Sequence, residues 1–139
     1  APSMNLGWES GLSEAKKRRA VLHEFGHALG LEHEHQSKLG KCNEEFDMKE
    51  LGDYLRSRNW SDNDIAINLA LITKPGVMET EFDKASVMLY GFPSVFYKKR
   101  KESRCYVVEK PDLSSGDVGL LARLYPVASD DKRKLEEER

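Results

Sequence analysis

Long apolar runs are missing from this 139-residue sequence, so no segment reads as a membrane span. The opening Ala1-Pro2-Ser3-Met4-Asn5 lacks a charged region followed by an apolar one and reads as no signal peptide, which leaves the compartment open. An excess of charge of one sign is missing too. The 22 Lys and Arg stand against 24 Asp and Glu, a formal charge of −2, which excludes a polybasic binder of nucleic acid or anionic membrane. Cysteine is down to two, Cys42 and Cys105, which form either one disulfide, the reading preferred here, or two free thiols. No internal repeat is present. What remains, 39% hydrophobic and 33% charged residues, fits one compact domain that buries roughly two-thirds of its unfolded surface.

The chain divides into a domain over residues 1–126 and a charged tail over 127–139, read as frayed helix or disorder. Ser3 to Trp8 reads as one short strand. From an N-cap at Ser13 to a stop at Gly30 the pattern is helical, with Ala20, Val21, Leu22, Phe25, Ala28 and Leu29 on one face. A second helix is expected from about Asn43 to Arg58. Its buried stripe is Met48, Leu51 and Leu55, and Asp47 and Glu50 are spaced as a capping box. A third is expected over Ser61 to Thr73, capped by Ser61 with Asp64 and ended by Lys74-Pro75-Gly76. Val77 to Tyr97 has no helical period. Val95 to Tyr97 and Cys105 to Val108 are candidates for a hairpin around the basic loop Lys98 to Arg104, which reads as a solvated turn. Ser114 or Ser115 caps a last helix carrying Val118, Leu121, Leu124 and Tyr125, with Pro126 as its stop.

All four histidines fall within thirteen residues, as His23-Glu24-Phe25-Gly26-His27-Ala28-Leu29-Gly30-Leu31-Glu32-His33 followed by His35. On a helix, His23 and His27 lie about 40° apart around the axis and can reach one metal ion from the same face, while Glu24 is displaced by about 100°. His33 cannot join them from a straight helix. Gly30 permits the sharp turn, because glycine takes the left-handed conformation without a Cβ penalty. The spacing therefore describes a three-histidine site with the fourth position open, which suits a catalytic zinc ion. Such an ion lowers the pKa of its water to about 7, and Glu24 would act as general base and then acid during attack on a peptide carbonyl. Helical histidines also pair with carboxylates, and a bare HExxH is moderate evidence. With four His, fifteen Glu and ten Gly in the chain, a shuffle gives the full eleven-residue pattern with a probability on the order of 10⁻⁵. His35 is open to three readings, a closing fourth ligand, a substrate contact or a surface or second-layer histidine, the last preferred.

This motif resembles that of the metzincin zinc metallopeptidases, and Ser86-Val87-Met88-Leu89-Tyr90-Gly91 is similar to their methionine turn, about fifty residues after His33. The resemblance implies an α+β, mainly helical zincin-like core with an active-site helix, a Met-turn and a C-terminal helix. It implies Met88 as a floor under the histidines, and Tyr90 as a displaceable zinc ligand that can then stabilise the oxyanion. His33-Glu34-His35 is similar to the astacin version, closest to the short bacterial and fungal type: Gln36-Ser37-Lys38-Leu39-Gly40 replaces the usual Arg- and Asp-rich stretch, Leu89 stands where animal astacins have histidine, and the cysteines do not reproduce the astacin pattern. Glu34 is assigned no role toward the N-terminus. Metzincins carry a mostly parallel sheet before the zinc helix, and its edge strand binds substrate by strand addition. Only 22 residues precede His23, so the upper sheet is expected to be largely missing: a fragment, a processing product or a reduced variant. A lone strand edge would favour association with another chain.

The implied function is a zinc endopeptidase acting on polypeptides, in which His23, His27 and His33 bind one Zn²⁺, Glu24 is base and acid, Tyr90 assists, and Phe92 to Lys110 walls the pocket after the scissile bond. The implied location is extracellular. The alternative is a non-catalytic zinc-binding interaction or effector module of the same descent, and a purely structural zinc would need a fourth ligand such as His35 or Tyr90.

Overall fold

The computed structural model describes residues 11–127, so the strand expected over Ser3 to Trp8 and the charged tail after residue 127 lie outside the described residues. Five helices carry the fold: α1 (Glu14–Ala28), α2 (Cys42–Glu45), α3 (Met48–Ser57), α4 (Asp62–Leu69) and α5 (Ser115–Leu124), with single 3₁₀ turns at Glu34–Gln36, Ser94–Phe96 and Arg100–Glu102. Among the described residues no strand is formed, and the one strand-like pairing is an antiparallel bridge between Phe46 and Tyr97. None of these helices is long and apolar enough to cross a membrane.

Local chemistry sets most of the boundaries. The Ser13 hydroxyl accepts the Lys16 N–H at the start of α1. At its end, Gly30 takes φ +91°, the Gly30 N–H donates to His27 O and the Leu31 N–H to Gly26 O, a Schellman turn that reverses the chain after the second histidine. Reciprocal capping boxes open α4 (Ser61 with Asp64) and α5 (Ser114 with Asp117), which selects Ser114 over Ser115 as the cap.

The structure corrects four expectations. The helix expected from Asn43 to Arg58 breaks at Phe46, which is drawn into the core and bridged to Tyr97; Asp47 then caps a new start, and Met48, on its first turn, is 45% exposed, leaving Leu51, Gly52 and Leu55 as the buried stripe. α4 ends at Leu69 instead of running to Thr73, because the Gln36 side-chain amide donates to the carbonyls of Ile67 and Ala70, and the Ile72 N–H turns aside to the Gln36 carbonyl. The hairpin does not form. Tyr97 pairs with Phe46 and Cys105 is joined to Cys42, so both expected strands are tied to the α2 region instead of to each other. On α5, Val118, Leu124 and Tyr125 are exposed, and the inward face is Asp117, Leu120 and Leu121.

Two apolar clusters result. The larger joins α2, α3 and α4 to Phe96, Tyr97 and the Cys42–Cys105 disulfide. The smaller, Leu31, Val87 and Met88 packed with Leu22, Leu120 and Leu121, lies between α1 and α5 and carries the site above it.

Candidate metal centre

α1 does not bury the apolar face its sequence suggests. Its buried residues are Arg19, His23 and Gly26, spaced four and three apart, whereas Phe25 is 50% exposed and Ala28 and Leu29 are exposed. A functional stripe replaces a greasy one. Gly26 sits there because the methionine turn passes close beneath: a Cβ at this position would stand 2.5 Å from Met88 Sδ.

Three imidazoles converge above Met88. One ring nitrogen from each of His23, His27 and His33 lies within 4.8 Å of the other two, and among the described residues this is the one group of at least three His, Cys, Asp or Glu so arranged. In each ring the outer nitrogen is already used: Nδ1–H of His23 donates to Val87 O at 3.0 Å, that of His27 to Leu31 O at 2.9 Å, and that of His33 to Gln36 Oε1 at 3.2 Å. The Gln36 amide cannot turn round, since its nitrogen is held by the two α4 carbonyls. All three Nε2 atoms therefore present lone pairs. Those of His27 and His33 face each other at 3.0 Å, which repels without a cation between them and is close to the spacing of about 3.3 Å expected for two imidazoles on one tetrahedral zinc. Outer partners of this kind fix tautomer and ring orientation in metal sites. The donor set fits a metal ion, and zinc above all.

Burial and the neighbouring rings favour the neutral forms of His23 and His33. Burial lowers the His23 pKa, and it takes His33 down to about 3, with His35, His27 and His23 adding to the shift. Tyr90 covers the group, its ring 4.5 Å from that of His33 and 5.6 Å from that of His23; burial raises its phenol, with the negative Glu24 and Glu109 adding. Glu24 is half-buried next to the cluster on α1.

The two residues flanking the third histidine's turn are not on the surface. His35 is 1% exposed, donates from Nε2 to Asn68 O at 2.8 Å and stacks against both His33 and Tyr90, a buried support for the turn outside the converging group. That removes the surface reading of His35 and leaves the second-layer one, outside the three-histidine group. Glu34 turns the other way and accepts the Asp83 N–H at 2.8 Å; burial raises it to about 7, with Asp83 and Asp117 pushing the same way. Behind this turn a cavity of about 380 Å³ is lined by Leu31, His33, Glu34, Ile72, Met88 and Leu120, so it reaches the third histidine but not His23, Glu24, His27 or Tyr90.

The turn at Ser86 to Tyr90, the candidate methionine turn, is anchored by Asp117, which is 5% exposed and accepts from the Ser86 hydroxyl at 2.6 Å, the Val87 N–H at 2.9 Å and the Ser114 N–H at 3.0 Å. Sequence reasoning missed Gly26, Gln36, Arg19 and Asp117 as parts of the site. Only Gln36 had a local signal, a polar side chain three residues after a histidine in a turn. In the basic segment, Lys98 donates to Glu44 O, Arg100 to Val95 O and Arg104 to Leu39 O, so three of its cations hold backbone.

No protein-family model and no curated protein matches the sequence. Among solved structures, one of myroilysin superposes with a TM-score of 0.71 at 28% identity, over 88% of this chain and 58% of that one. A second structure of myroilysin gives a TM-score of 0.50 at 27% identity, over 87% of this chain and 52% of that one. The chain thus spans a little over half the length of the structures it resembles. The likeness shows a fold shared with that part of myroilysin, and the three-histidine group stands on it as a candidate metal site.

Proposed function

We propose that the chain is a zinc-dependent endopeptidase of astacin-like metzincin type, with His23, His27 and His33 as the zinc ligands. The observation that carries this reading is the convergence of three Nε2 lone pairs whose Nδ1 partners are all occupied by protein acceptors. When bound there, zinc supplies a Lewis acid for the scissile carbonyl and an acidified water. Glu24 accepts the proton of the attacking water and returns it to the leaving amine, which its place one residue after His23 on α1 allows. The Tyr90 phenol, held protonated by burial and by Glu24, donates to the developing oxyanion. Met88 is the floor that holds the turn under α1.

The substrate is a polypeptide, with Phe92 to Lys110 forming the wall after the scissile bond, and neither nucleic acid nor membrane is a partner of a chain so evenly charged. Secretion accords with the Cys42–Cys105 disulfide. The test compares cleavage of an unfolded protein by the zinc-loaded chain and by Glu24→Gln, with bound zinc measured in both. Native cleavage, with a loss of about 10²- to 10⁴-fold in a variant that keeps its zinc, supports the reading. Zinc in both with cleavage by neither replaces it with a non-catalytic zinc-binding module.

A further inference from the structure

We propose that Arg19 and Glu109 clamp the backbone on either side of Tyr90 and so set the position of its ring over the histidines, which makes them positioning residues of the reaction; the inference rests on the peptidase reading of that site. Arg19 lies one helical turn before His23 on the buried face of α1 and is 9% exposed. Its guanidinium donates to Leu89 O through Nη2 at 2.5 Å and to Lys110 O through Nη1 at 3.0 Å, while Nε faces Glu109 Oε2 at 3.3 Å. The other Glu109 oxygen accepts the Gly91 N–H at 2.9 Å.

The peptides before and after Tyr90 are thus both held, one by its carbonyl and one by its N–H, and the two holders are paired with each other. Gly91 has a reason to be glycine, since a Cβ there would collide with the Glu109 side chain. A planar fork with donors on several edges can serve Leu89, Glu109 and Lys110 at once, which a lysine ammonium cannot do in the same geometry. Burying an arginine for stability alone gains little over an apolar residue of similar volume. Here the charge specifies where the segment between His23 and Lys110 sits, and Tyr90 is the side chain that segment carries to the site.

The experiment uses the zinc-loaded full chain with three variants, Glu109→Ala, Glu109→Gln and Arg19→Lys, read by steady-state kinetics and by NMR of labelled tyrosine rings. The Tyr90 signal is assigned by its loss in Tyr90→Phe. Glu109→Ala, at a part-exposed position, is expected to lower kcat about 10- to 100-fold with little change in KM, as displacement of a reacting group by about 1 Å does. It is also expected to shift the Tyr90 ring signals while leaving those of Tyr54 and Tyr125 in place. Glu109→Gln keeps an oxygen for Gly91 and recovers part of both effects. In the Tyr90→Phe background, Glu109→Ala is expected to cost no more than about twofold further, because its route to the chemistry is gone. Unmoved Tyr90 signals in both Glu109→Ala and Arg19→Lys overturn the clamp, as does an undiminished kcat loss in the Tyr90→Phe background. Should Arg19→Lys fail to fold, the Glu109 variants decide alone. Should the native chain cleave nothing, the peptidase reading falls and the ring signals still decide the clamp.

Discussion

Gly26 and Gln36 show how single residues outside the motif's fixed letters decide whether it works. At Gly26, alanine would raise helix propensity by about 1 kcal/mol. Its Cβ would also drive into Met88, which is 2% exposed, and overpacking of that kind costs about 1–3 kcal/mol. The expected outcome of Gly26→Ala is a net loss of about 1 kcal/mol in urea unfolding. The sign should reverse in a Met88→Ala background, where the collision is absent and the propensity gain remains. Gln36→Ala removes the acceptor of His33 Nδ1–H and is expected to weaken zinc binding by about 10- to 100-fold, read by competition with a chromophoric chelator. A zinc affinity equal to the native chain's would show that the turn at Glu34–Gln36 orients His33 without its side chain. The convergence of His23, His27 and His33 was legible because helical geometry and one glycine dictate it, and that part of the candidate site needed only the sequence. Gly26 and Arg19 were not legible, since each answers to a segment some sixty residues or more away in the chain, Met88 in one case and Leu89, Glu109 and Lys110 in the other.

At the scale of elements the same division holds between local rules and distant partners. Most starts were readable: Ser13, Ser61 and Ser114 each take a backbone N–H three residues on, which is a local event, and Asp47 does the same at a start that was expected at Asn43. Stops and breaks were less so. α4 loses its last turn to Gln36, and the long helix expected from Asn43 breaks because Phe46 finds Tyr97, neither of which any window of the sequence contains. The helix α5 is an instructive case, for Asp117, in its first turn, does two jobs, closing the capping box with the N-cap Ser114 and holding the turn at Met88 through Ser86 and Val87. Asp117→Ala would leave the Val87 N–H and Ser86 hydroxyl buried without an acceptor, at about 1–3 kcal/mol for each unsatisfied group. The expected loss is about 3 kcal/mol, measured by denaturant unfolding, and far above the cost of about 1 kcal/mol for a lost helix cap alone. A loss no larger than the cap value would mean that the methionine turn holds itself.

The whole molecule rests on two apolar clusters without a common residue, one fastened by a covalent bond and the other lying under the metal centre. Their fastenings act on different states of the chain. Closing a loop between cysteines 63 residues apart restricts the unfolded ensemble, and reduction of Cys42–Cys105 is expected to cost about 4 kcal/mol of stability. Zinc acts on the folded state, where alone the His33 turn is brought back against α1; at free zinc about 1,000 times its dissociation constant it should add about 4 kcal/mol. Because the two fastenings share no partners, their effects should add within about 0.5 kcal/mol in a cycle of four unfolding curves, oxidised and reduced, with zinc and with chelator. The clusters are nevertheless linked at the turn that carries His33, where Gln36 and His35 reach the C-terminal carbonyls of α4, and again where Tyr90 meets Phe92 and Lys84 donates to Ser103 O. Coupling beyond that margin that passes through the Gln36 side chain should disappear in Gln36→Ala. Coupling that survives the substitution would mean that reduction loosens α1 or the methionine turn directly, and that the two clusters fold as one.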